Sequence, residues 1–153
     1  MSDSRRSGSS RSGASPDPDE CDVRRAARIR FALRRFHAGS DRVARRSGLT
    51  PRQYLLLLAI QASDGRRRGV TVGELVEKLA LADSTVTELL DRAERLGLVV
   101  RRTGRGDRRT VEIDSTAEGQ RRFAAAFVGM AGERRAIADL ARDLGLLDHE
   151  TSG

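Results

Sequence analysis

Three short strings constrain this chain more than any other feature: Thr50-Pro51-Arg52-Gln53, Thr71-Val72-Gly73-Glu74 and Ser115-Thr116-Ala117-Glu118. Each sets a hydroxyl three residues before an amide or a carboxylate, and each stands ahead of an apolar run. The hydroxyl can accept an orphan backbone N–H of a new helix, while the third residue reaches back to the N–H of the cap. Proline at the first helical position reinforces the first of them. Three such starts in 153 residues predict a mainly helical fold.

The segments between the starts differ in kind. After Thr50 comes Tyr54-Leu55-Leu56-Leu57-Leu58-Ala59-Ile60, apolar nearly all round and so expected to be the most buried helix. Asp64-Gly65 should turn the chain into Arg66-Arg67-Arg68. Behind Thr71, Val72, Leu75, Val76 and Leu79 share one side of a short helix. After the break Ala80-Leu81-Ala82 a further helix starts at Asp83, with Val86, Leu89, Leu90, Ala93 and Leu96 inward and Gly97 ending it. Leu98–Arg102 and Thr110–Ile113 then read as two strands of a hairpin around glycines. The stretch 116–144 is helical again, with Gly129 and Gly132 dividing it. Upstream, Ala26, Ile29, Leu33, Phe36 and Val43 mark an amphipathic helix from Cys21 to Ser47, about 40 Å long if unbroken.

Composition narrows the function. Arginine outnumbers lysine 28 to 1, and the formal net charge is +7. Residues 1–19, rich in serine, read as a disordered tail. The first twenty residues net −1, so the remainder carries +8, and any polyanion footprint must lie on the folded part. One cysteine excludes an internal disulfide, and two distant histidines leave no metal-ligand cluster, so neither cofactor nor metal is expected. The longest apolar run, Tyr54–Ile60, is too short to cross a bilayer, and the N-terminus lacks the apolar stretch of a signal peptide; a cytoplasmic protein is expected. No acid–base pair or nucleophile constellation points to an enzyme. Gly104-Arg105-Gly106-Asp107 imitates an adhesion tag by chance, and no lysine-serine pair follows Gly104-x-Gly106 to make a phosphate loop.

Two short helices joined by a tight turn, followed by a basic hairpin, make a winged helix-turn-helix whose second helix suits a DNA major groove. On 83–96 the side opposite the leucines presents Ser84, Thr85, Thr87 and Glu88 toward its N-terminus, the part that usually meets base edges. Hydroxyls can bond several edges, and a carboxylate can accept from cytosine N4. Arg92 and Arg95 suit phosphates. On the wing, Arg101, Arg102, Arg105, Arg108 and Arg109 can reach phosphates or a narrow minor groove. Asp107, two residues before Arg109, can hold that guanidinium in one pose.

From about Leu49 to Gly119 the chain resembles the MarR family of bacterial transcription regulators. The stretches that carry the likeness are GLTPRQYLLLLAI, TVGELVEKLALADSTVTELLDRAERLGLVVRR and GDRRTVEIDSTAEG, with the family's Asp-x-Arg element matched by Asp107 and Arg109 and its threonine-glycine helix start by Thr116 and Gly119. Glu88 stands where a basic or neutral residue is more usual, and the region after the wing is short for the family.

The resemblance implies a homodimer with interlocking terminal helices, two lobes straddling pseudo-palindromic double-stranded DNA, and in many members release by a small aromatic or lipophilic effector. The expected organisation is a tail over 1–19, an N-terminal dimerisation helix over 20–48, the winged helix-turn-helix over 49–114, C-terminal dimerisation helix or helices over 115–147 and a frayed end over 148–153. His37 and Tyr54 are the candidates for lining an effector pocket. Two other readings remain open: a winged-helix adaptor that meets protein rather than DNA, and a thiol-based sensor using Cys21. Acidic Asp19, Glu20 and Asp22 around that thiol weigh against a reactive thiolate and so oppose the second.

Overall fold

In the computed structural model, residues 18–63, 69–104 and 110–145 are described. The serine-rich segment through Asp17, the expected turn at Asp64-Gly65 with Arg66-Arg67-Arg68, the expected wing tip from Arg105 to Arg109 and the end from Leu146, including His149, lie outside them.

Among the described residues, six helices and three strands follow in the order α1 (Glu20–Arg46), α2 (Pro51–Gln61), β1 (Val70–Thr71), α3 (Val72–Leu79), α4 (Asp83–Arg95), β2 (Val99–Thr103), β3 (Val111–Ser115), α5 (Ala117–Gly129) and α6 (Ala131–Asp143). α1 runs through Gly39-Ser40 without a break. Asp19 caps it, taking the Cys21 N–H at 3.3 Å.

The first two capping boxes form with both arms. Thr50 Oγ1 accepts from Gln53 N–H at 3.2 Å and Gln53 Oε1 from Thr50 N–H at 2.9 Å. Thr71 and Glu74 repeat the exchange at 3.3 and 2.7 Å. The third box is corrected. Ser115 ends β3, and the cap of α5 is Thr116, whose Oγ1 accepts from Gly119 N–H at 3.0 Å. Glu118, freed from capping, pairs with Arg121 and Arg122. The hydroxyl of Thr116 is better placed because its own N–H donates to the Leu98 carbonyl at 3.0 Å, which fixes the chain entering α5.

The hairpin contains a third strand that no apolar run announced. β1, only two residues long, pairs antiparallel with β3, giving the order β1-β3-β2. Val70 faces Ile113, while Arg101 and Arg102 of β2 face Ile113 and Glu112. Its signal is hidden because Thr71 ends β1 and caps α3 at once.

Leu56 and Leu57 of α2, Leu75 of α3, Val86, Leu90 and Ala93 of α4, and Leu98, Val99 and Ile113 at the sheet form one buried core. Burying a leucine of this kind contributes about 2 kcal/mol. α2 is the most buried helix as expected, although Leu55 is half exposed. Leu96, expected inward, is 55% exposed instead. It lies past the last helical residue, where Gly97 takes a positive φ of 66° and turns the chain toward β2. The C-terminal helical stretch divides at Met130, just after Gly129; Gly132 lies inside the first turn of α6.

α1 packs along α6, with contacts to α2 and α5 toward its C-terminal half. Ala26 and Leu33 of its expected apolar face stay exposed, as do Val23 and Phe31. No helix among the described residues is long and apolar enough to cross a membrane.

Candidate nucleic-acid interface

The helix-turn-helix is α3 and α4, joined through Ala80, whose left-handed backbone (φ 50°, ψ 43°) makes the sharp turn. α4 turns Val86, Leu89, Leu90 and Ala93 into the core. Side-chain geometry then decides the opposite flank: Ser84, Thr87, Glu88, Asp91, Arg92 and Arg95 are exposed, and Thr85 is half-buried at the edge. All four residues read as base-reading candidates therefore sit on one accessible stretch of helix. Thr87 Oγ1 lies 3.5 Å from Asp83 Oδ1, and Glu88 pairs loosely with Arg92 at 4.0 Å, both side chains about 70% exposed. Pairs this exposed hold their members weakly, so both can turn toward a ligand.

The wing arginines divide. Arg101, expected to meet phosphate, points back at α4. Its guanidinium donates to Asp91 at 2.7 Å and to Glu94, and its backbone N–H also donates to Glu94 at 3.4 Å. The Asp91 hydrogen bond is the largest cause of a raised Arg101 pKa, outweighing partial burial, with Glu94 adding to it. The group joins the wing to the reading helix and neutralises two carboxylates near it. Arg102 points to the other side of β2, 3.6 Å from Asp114 and mostly exposed. Arg105, Arg108, Arg109 and Asp107 lie outside the described residues, so the expected Asp107–Arg109 pose has no geometry to report.

The candidate pocket residues do not converge. Tyr54 is buried and stacked on Phe123, ring centroids 5.6 Å apart, and Phe123 meets Phe127 at 5.5 Å. Burial raises the Tyr54 pKa, partly offset by Arg134. His37 is exposed on α1 against the edge of Phe36. Neither lines either of two clefts among the described residues. One, of about 650 Å³, lies between α2, the sheet and α5, bordered by Gln61, Arg102, Asp114, Ser115, Gln120 and Phe123. Another, of about 860 Å³, runs between α1 and α6. Sequence periodicity could not show either, because both are made by elements distant along the chain. Cys21 is exposed in the first turn of α1, and no cluster of metal-ligating side chains occurs among the described residues.

The family model for the MarR family matches residues 47–110, which run from the α1–α2 junction through β2 and stop one residue ahead of β3. Over 105 residues the chain is 30% identical to the transcriptional repressor MdtR of Bacillus subtilis, an alignment covering 69% of this chain. Residues 47–110 are a MarR-family segment. That alignment spans 61% of MdtR's own length, and a second one, at 35% identity, spans 47% of the length of the HTH-type transcriptional regulator PecS of Dickeya dadantii. The relatives are transcriptional regulators and not enzymes. Among solved structures, the MarR-family regulator AbsC of Streptomyces coelicolor has the same fold, with a TM-score of 0.72 and 21% identity over 88% of this chain and 91% of its own. MosR of M. tuberculosis, solved in complex with DNA, is 27% identical with a TM-score of 0.53, covering 84% of this chain and 98% of its own. The MarR-family match thus accounts for α2 to β2, and the likeness in fold to whole structures extends to the flanking helices.

Proposed function

We propose that this protein is a sequence-specific, double-stranded-DNA-binding transcription regulator, repressor-like, working as a homodimer on a pseudo-palindromic site. One observation carries the reading. The flank of α4 holding Ser84, Thr85, Thr87 and Glu88 is open to solvent while the opposite side is locked into the core, and the wing stands beside it. Such a helix is of a size to enter a major groove. Arg92, Arg95 and the wing arginines Arg102, Arg105, Arg108 and Arg109 would take phosphates or the minor groove, with Asp107 steering Arg109. The DNA complex of MosR supports the assignment by likeness.

The dimer is supported by the groove between α1 and α6. Phe31 is 62% exposed there, Arg24, Arg28 and Arg35 line the α1 wall, and Glu133, Asp139 and Asp143 line the α6 wall. A second copy laid across it would cover the apolar floor and set cationic against anionic walls. In this organisation α1, α5 and α6 are the dimerisation elements and α2 to β3 the DNA-binding lobe. A small aromatic or lipophilic effector would act from the cleft between α2, the sheet and α5, where occupancy biases the lobe relative to α5. Redox sensing at Cys21 has no support beyond its exposure.

Selecting bound sequences from a random duplex pool tests the reading directly. The expected result is a two-fold symmetric site with half-sites about one helical turn apart and affinity falling steeply with salt. Salt-insensitive or absent binding would sink it in favour of an adaptor role.

A further inference from the structure

A notch of about 400 Å³ separates the N-terminal turn of α2 from the reading flank of α4. Thr50, Pro51 and Arg52 form one wall; Thr85, Glu88 and Arg92 form the other. Arg52 is exposed and has no ion pair among the described residues. It lies outside the helix-turn-helix and the wing in sequence, yet the fold sets it beside the residues expected to read bases.

We propose that this notch is a phosphate seat, in which Arg52 of α2 and Arg92 of α4 together grip one phosphodiester of the DNA backbone that borders the groove occupied by α4. The inference rests on the DNA-binding reading above and adds a contact to it. A helix with its side chains is about 10–12 Å across and the major groove about 12 Å wide. Once α4 is seated, a wall of protein flanking it must therefore face the sugar-phosphate ridge. The notch is a recess at that flank with a guanidinium on either side. Among the described residues Arg92 is held only by the loose 4.0 Å pair with Glu88, which leaves it able to turn. The α2 wall is rigid, because the Thr50–Gln53 box fixes its first turn. A contact from rigid α2 sets how deep α4 sits and carries no base information itself. Arg52 is thus a positioning residue, distinct from the base readers Thr85 and Glu88 across the notch.

The test uses the full chain and a duplex selected from a random pool by the wild type. Binding is titrated at several NaCl concentrations for wild type, Arg52→Ala, Arg52→Lys and Arg92→Ala. Arg52→Ala should lower the slope of log affinity against log salt by about 0.9 and weaken binding about threefold to tenfold. The order of preferred bases should not change, and Arg52→Lys should restore the slope, which a merely structural role would not require. A scan with single uncharged methylphosphonates should find one position at which Arg52→Ala and Arg92→Ala both become silent. A wild-type slope in Arg52→Ala overturns the phosphate seat while leaving DNA binding standing. Two different methylphosphonate positions for the two arginines overturn the shared grip. A wild type with no salt-dependent duplex binding overturns both readings together.

Discussion

Gly119 stands so close to Leu98 that a Cβ on the glycine would overlap the Leu98 carbonyl oxygen. The same carbonyl accepts the Thr116 N–H at 3.0 Å, and the Thr116 hydroxyl donates to the carbonyl of Gly97. The end of the reading helix and the start of α5 are therefore clamped backbone to backbone. Gly119→Ala must push them apart, and a Leu57 methyl 3.3 Å from the new Cβ crowds it further. A loss of about 3 kcal/mol is expected in urea unfolding. Gly132→Ala is the control: nothing lies within 4 Å of its Cβ position inside α6, so a gain of about 0.5–1 kcal/mol is expected.

Arg101 and Arg102 are neighbours with different tasks. Arg101→Ala strips two carboxylates of their shared partner, and a stability loss of about 1–2 kcal/mol is expected after allowing for partial exposure. Arg102→Ala breaks only an open pair with Asp114 and should cost about 0.5 kcal/mol or less. Thermal unfolding of the two variants side by side reads the difference. Equal losses would remove Arg101 from its role as the joint between wing and α4.

Glu118 gives a signed pH dependence. Hydrogen bonds from Arg121 and then Arg122 hold its carboxyl down at about 2, below the ordinary 4.5. Because the folded pKa is the lower one, the contribution is fully present above about pH 4.5 and is lost as pH falls through 2. The unfolding midpoints of wild type and Glu118→Gln should differ by a constant amount above pH 5 and converge toward pH 2. Arg122 also donates to the Gly48 carbonyl at 3.0 Å, so the start of α5 is tied to the α1–α2 junction as well.

Phe31 probes the proposed dimer. Phe31→Asp puts a charge on the floor of the α1–α6 groove without touching the core around α2. Sedimentation at micromolar concentration should show the variant as monomer and the wild type as dimer. A variant that sediments like the wild type would place the subunit contact elsewhere.

Base reading separates from backbone grip in the same way. Glu88→Gln should change which base pair is preferred at one position of each half-site, whereas Arg109→Ala should weaken all sequences alike. Competition among single-base variants of the selected duplex measures both. Unchanged preference in Glu88→Gln would take that carboxylate off the list of base readers.

Much of this was legible in the chain itself, because its signals are local. A cap hydroxyl, a proline at the first helical position and the leucine spacing of 83–96 act within one or two turns, so helix starts at 50, 71 and 83 and the face of α4 could be read directly. Two of the three boxes form as written. The third slipped by one residue because both Ser115 and Thr116 offer a hydroxyl, and a contact from Leu98, distant in sequence, chose between them.

What the tertiary structure alone decided are pairings between distant segments. The two-residue strand β1 exists because β3 offers it an edge. Arg101 turns to Asp91 and Glu94 because β2 packs against α4, and Arg52 comes to border the notch beside the reading flank because α2 packs against that helix. Periodicity reports which side of an element is apolar, since each residue's burial follows its own helix or strand. It does not report which charged side chains of separate elements will meet, because that depends on how the packed elements are oriented against one another.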